Sequence, residues 1–228
     1  MHGKVKLTRR QIKEDKFATF MLTAKDRFEH NWQYFVIGAV AVILAVVAIV
    51  YYSSSSASAR EEAGRKYAEA LASSSSGNAQ VAILNLTQIV EEDADPVTTR
   101  QAVFLLGQLN LESRNYPEAI RFFEQFTSKY RDDKLMYAAA LGGLGACAEN
   151  QGQFADAATK YAQAAESYPG GPSEGDFLVS AMRSDLMAGN AKKAKATLTT
   201  IRAKFKQTEL AQRAERLFAE KGTAASGS

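Results

Sequence analysis

Residues 34–52 read YFVIGAVAVILAVVAIVYY, nineteen residues without a charge. As an α-helix the run would be about 28 Å long, at about 1.5 Å per residue. That length matches a bilayer hydrocarbon core of about 30 Å. The uncharged window is wider still, because nothing between His30 and Arg60 carries a formal charge. Trp32, Tyr34, Tyr51 and Tyr52 flank the run, as aromatic side chains do at headgroup depth. A buried core helix this apolar on every face would need a large domain around it, so the run reads as a membrane span.

The charges on either side give the span a direction. Residues 1–30 carry eight basic and four acidic side chains, a balance of +4. The whole chain is +3, so residues 31–228 sum to −1. Basic excess on one flank predicts a cytoplasmic N-terminus and a C-terminal part on the far side of the membrane. In a bacterium that side is the periplasm. Ala57-Ser58-Ala59 has the small-x-small form of a cleavage site. The long charged leader and the length of the apolar run both exceed what a cleaved signal peptide uses, so an uncleaved signal anchor is expected. No cysteine stands directly after the run, which excludes a lipoprotein.

Within the leader, Phe17, Phe20, Met21, Ala24 and Phe28 recur at helical spacing and share one face. With Trp32 they form a stripe at the membrane edge. A basic amphipathic helix in this place lies in the headgroup plane, or docks its Phe-Met stripe on another membrane protein, and both can hold together. The chain's pI of 8.9 comes from this juxtamembrane charge. Anionic lipid headgroups, rather than nucleic acid, are therefore the expected electrostatic partner.

The remaining chain has room for a soluble domain of about 160 residues, enough to bury a core. Four prolines and fifteen glycines among abundant Ala, Leu, Glu, Lys and Gln favour helix over strand. The single Cys147 excludes an internal disulfide. Four polar turns recur, at Gly77-Asn78, Asn115-Tyr116, Gly152-Gln153 and Gly189-Asn190, each leading into a helix with an early alanine. Those alanines are Ala82, Ala119, Ala157 and Ala194, spaced by 37, 38 and 37 residues. A larger apolar residue follows each by four: Leu86, Phe123, Tyr161 and Leu198. Gly107 and Gly145 lie twelve residues before the two central alanines.

This pattern resembles the tetratricopeptide repeat. It is clearest at Leu106-Gly107…Tyr116…Ala119…Phe123 and at Leu144-Gly145…Phe154…Ala157…Tyr161…Pro169. In the last repeat Met182 stands in place of the glycine, and the period is longer than the family's usual one. The expected fold is all-α. An N-terminal amphipathic helix and a single transmembrane helix precede a superhelix of about four helix pairs, closed by a capping helix from about Thr208 to Glu220. Leu210, Ala214, Leu217 and Phe218 share one face of that cap. The expected divisions are a cytoplasmic leader at 1–30, a signal anchor at 31–53, a repeat domain at 54–221 and a disordered tail at 222–228.

No reactive constellation is legible. His2 and His30 both precede the repeats, so the repeat domain lacks the commonest general base and metal ligand. Cys147 has no basic neighbour in sequence and reads as an inert core thiol. There is no phosphate-cradling loop. Gly142, Gly143 and Gly145 fall inside a helical pattern and signal close helix packing. No enzyme activity, cofactor, metal or small-molecule substrate is expected, which leaves binding. The resemblance implies a concave face lined by the first helix of each pair. The matching positions are Gln101, Phe104, Gln108, Leu111 and Glu112, then Glu149 and Asn150, then Arg183. Phe104 and Leu111 would anchor an extended or helical peptide. The alternative is that both pack against the N-terminal helix pair.

A basic leader, one span and a periplasmic repeat domain also resemble the layout of the YfgM-like family, ancillary subunits of the bacterial SecYEG translocon. The resemblance rests on this architecture and on Leu7-Thr8-Arg9-Arg10-Gln11-Ile12-Lys13-Glu14-Asp15. It implies association with a membrane-bound periplasmic chaperone and help to secreted proteins. A second reading is a structural accessory subunit of another large inner-membrane complex, respiratory or photosynthetic.

Overall fold

The computed structural model describes residues 9–225, with side chains from Trp32 to Glu220 except residues 35 and 52–56. All nine elements among the described residues are α-helices. They are α1 (Arg9–Ser75), α2 (Ala79–Glu92), α3 (Pro96–Glu112), α4 (Tyr116–Lys129), α5 (Lys134–Asn150), α6 (Phe154–Ser167), α7 (Glu174–Met187), α8 (Ala191–Lys204) and α9 (Glu209–Ala225). The all-α expectation is met. The chain divides into two compact units, Met1–Ser58 and Ala59–Ser228.

In the first unit, Trp32–Tyr51 is helical, with a mean hydropathy of 2.8, long and apolar enough to cross a membrane. Its side chains are uncovered, Tyr34, Ile37, Val42 and Ile49 among them. Ser53–Ser56 do not interrupt α1. The side chains of Phe17, Phe20, Met21 and Phe28 lie outside the described residues, while Trp32 is exposed.

The second unit is built from helix pairs: the end of α1 with α2, then α3–α4, α5–α6 and α7–α8. The end of α1 shares a core cluster with α2, from α2 on each helix packs on the next in sequence, and α3 also meets α5 while α7 meets α9. The pairs turn by one repeated device. Gly77, Arg114, Gly152 and Gly189 all have left-handed φ, from 59° to 82°. The next residue reaches back five, with Asn78 N–H donating to Ser73 O, Asn115 to Asn110 O, Gln153 to Ala148 O and Asn190 to Asp185 O, at 2.7–2.9 Å. These bonds satisfy carbonyls that a helix end leaves open. At two of the three junctions between pairs, a side-chain cap starts the next helix. Asp95 accepts from Thr98 N–H at 3.0 Å ahead of Pro96, and Asp133 accepts from Met136 N–H at 3.1 Å.

The repeating alanines Ala82, Ala119, Ala157 and Ala194 are fully buried, and Leu86, Phe123, Tyr161 and Leu198 are buried with them. A small residue lets the paired helices approach, and the larger one fills the space beyond. The glycines serve the same fit. A Cβ built on Gly107 would sit 2.6 Å from the Phe123 ring, and one on Gly143 2.5 Å from it on the other side. Phe123 is thus wedged between two glycines of successive first helices. A Cβ on Gly145 would sit 2.9 Å from the Tyr161 ring. Where the glycine is missing the partner shrinks, as with Ala70 and Leu86 in one core cluster and Met182 and Leu198 in another.

The capping helix forms as expected. Ala211 and Ala214 are buried, and Leu210, Leu217 and Phe218 pack against the last core cluster. α9 continues to Ala225, so its backbone is helical over residues 222–225, expected as the start of a tail. Thr223, Ala224 and Ala225 give the helix no stop signal there. Residues 226–228 lie outside the described residues.

Candidate protein-binding groove

α3, α5 and α7 hold corresponding places in the stack, and the eight candidate residues lie on them. On α3, Gln101, Phe104, Gln108, Leu111 and Glu112 fall within one helical face by their spacing. Gln108 and Glu112 are exposed and Gln101 is half-buried. Phe104 is half-buried, its ring set edge-on to Phe123 and Phe126 at centroid distances of 6.0 and 5.6 Å. Leu111 is half-buried against the same core cluster. Both side chains therefore present one edge outward while the rest belongs to the core.

Glu149 and Arg183, 34 residues apart, are brought together. Arg183 Nη2 donates to Glu149 Oε2 at 2.8 Å, and Tyr161 Oη donates to the same oxygen at 3.0 Å. This triad ties α5, α6 and α7 at one point of the face. Burial, followed by the Glu149 charge, pushes the Tyr161 hydroxyl up, so it stays a donor. Asn150 is exposed and its Nδ2 donates to Ala146 O at 2.8 Å. The contacts do not join the α3 residues to the Glu149–Arg183 pair, which links α5 to α7. On α5, Ala139, Gly143 and Ala146 are half-buried.

Sequence reasoning missed two further features. Phe177 of α7 packs where a Cβ on Gly142 would stand, so Gly142 receives the next repeat's aromatic ring. The glycine run carried a hint of close packing but not its partner. The second is an open cavity of about 430 Å³ between α6 and α8, floored by α7 and lined by Ala162, Ala165, Leu178, Ala181, Thr197 and Thr200. No sequence signal pointed to it.

The chemistry is that of a surface. Among the described residues no three His, Cys, Asp or Glu side chains gather as metal ligands. Cys147 is buried, and burial pushes its thiol up to about 11, so it is protonated near neutral pH.

The tetratricopeptide repeat model matches residues 67–134 and again 104–172. Tetratricopeptide repeats are thus found over residues 67–172. No curated protein matches the chain. The two matched spans overlap over residues 104–134, which hold Phe123. Tetratricopeptide repeats generally bind other proteins, and this repeat domain has the architecture of a protein–protein interaction scaffold. The fold is typically non-catalytic.

Proposed function

We propose that the protein is a non-enzymatic, membrane-anchored interaction scaffold whose repeat domain works on the periplasmic face of a bacterial inner membrane. The observation that carries this reading is the pairing, in one chain, of a twenty-residue apolar helix with a tetratricopeptide repeat domain. The +4 balance of residues 1–30 supports a cytoplasmic N-terminus. The partners proposed are other membrane or periplasmic proteins, bound through the face of Gln101, Phe104, Gln108, Leu111, Glu112, Glu149, Asn150 and Arg183. The bilayer is the second partner, met by the span and by the stripe of Phe17, Phe20, Met21, Phe28 and Trp32.

Within this reading the scaffold assists secreted proteins at the translocon, as the YfgM-like layout implies. The α3 edge supports it, since half-exposed Phe104 and Leu111 beside exposed Gln108 and Glu112 suit varied peptides. Purification in gentle detergent, followed by mass spectrometry of the retained proteins, tests it. Translocon and chaperone subunits with assorted exported chains are expected. Fixed stoichiometry with one other inner-membrane complex, released on deleting residues 1–30, would instead establish the accessory-subunit role.

A further inference from the structure

We propose that copies of this protein associate head to tail, the acidic first hairpin of one repeat domain docking on the basic last helices of the next. The two surfaces stand at opposite ends of the helix order. Residues 59–95 carry seven acidic and three basic side chains, a balance of −4, and residues 190–220 carry eight basic and three acidic, a balance of +5.

The basic end is not explained by the fold. Acids in a helix's first turn favour its dipole and cations oppose it. α4, α6, α7 and α9 begin with acids, Glu118, Asp156, Glu174 and Glu209, while α2, α3 and α5 have none in the first turn. α8 begins with Lys192 and Lys193, followed by Lys195, and holds no acid in its first turn. All three lysines are exposed, and among the described residues none makes an ion pair. Further along, Lys204 meets Glu174, Arg202 meets Glu215 and Arg213 meets Asp176, so the unmatched charge is concentrated where it costs α8 stability. Lys192, Lys195 and Arg202 recur at three and seven residues along one side of α8, and exposed Lys206 follows just beyond its end.

The acidic end is equally unfinished. A repeat stack needs a polar cap at each terminus, and α9 supplies one at the C-terminal end only. On α2, Val81 and Leu84 are 50% and 70% exposed. Glu62 and Glu92 converge on Lys66 at 3.2 and 2.9 Å. Glu61 and Glu91, next to them in sequence, are exposed and unpaired among the described residues. Leu84 and Val81 offer apolar area to the alkyl stems of lysines, and the carboxylates offer the counter-charge. Because the two patches differ, the contact is heterologous and extends into strings rather than closing as a twofold dimer.

Light scattering and sedimentation on the full chain in detergent, over a concentration series, test this. At low salt the expected species grow beyond dimers, and about 0.5 M salt disperses them by screening. Lys192→Glu/Lys195→Glu abolishes association while leaving melting temperature unchanged or raised, because acids suit the start of α8. That separates lost docking from lost folding. Glu61→Lys/Glu91→Lys also abolishes it. Mixing the two variants restores association, since the unaltered end of each meets its complement on the other. A wild-type chain that stays monomeric at low salt overturns the proposal. So does association that survives either variant, or binding of α8 to anionic vesicles or an acidic protein without self-association.

Discussion

Phe123 is the residue on which the central repeats are fitted together. Its ring fills space that two glycines, Gly107 and Gly143, leave open on either side. Neither glycine has an unusual backbone, and in a helix each costs about 1 kcal/mol against alanine. The close contact outweighs that cost. Gly107→Ala and Gly143→Ala should each destabilise the domain by about 1–3 kcal/mol in denaturant titrations, because the buried ring cannot withdraw without moving a helix. Gly64→Ala is the control: a Cβ there meets nothing within 4 Å, so it should stabilise by about 0.5–1 kcal/mol. Phe123→Leu combined with Gly107→Ala should recover part of the loss. Arg114 gives the opposite case. It holds the left-handed turn position that glycine holds in the other three pairs, with φ 59°. Arg114→Gly should gain about 0.5–1 kcal/mol by relieving that strain.

At the level of elements, the fold was legible because its repeat is local. The spacing of Ala82, Ala119, Ala157 and Ala194 followed from the turns, and the left-handed residues 77, 114, 152 and 189 repeat with the same intervals. What was not legible depends on how helices rotate against each other. Spacing places Glu149 and Arg183 on corresponding helix faces, but only the packing of α5 on α7 brings them to 2.8 Å. Phe104 read equally as groove or core, and its ring is shared between the two, since edge contacts with Phe123 and Phe126 depend on where α4 sits. Helix starts carry a pH prediction. The Thr98 hydroxyl, and then the Thr98 N–H, hold the Asp95 carboxyl below its usual range. A depressed folded value means the stabilisation is present above the unfolded pKa of about 4 and is lost as pH falls through the folded value. Asp95→Asn should therefore flatten the acid limb of a stability–pH profile below about pH 4. Asp95→Ala should cost about 1 kcal/mol at neutral pH through the lost cap.

For the whole molecule, the two units divide the work. The repeat domain carries the face proposed for binding, with Cys147 held protonated in the core and the Tyr161 hydroxyl fixed as a donor to Glu149. The first unit supplies an apolar helix with uncovered side chains. In water such a surface is costly, at about 25 cal/mol per Å² of apolar area left exposed, and a bilayer removes that cost. Carbonate extraction of membranes from cells expressing the full chain tests this most directly, beside a version lacking residues 34–52. The full chain should stay with the membrane pellet and the deleted version should move to the supernatant; a full chain released into the supernatant would contradict the anchored scaffold.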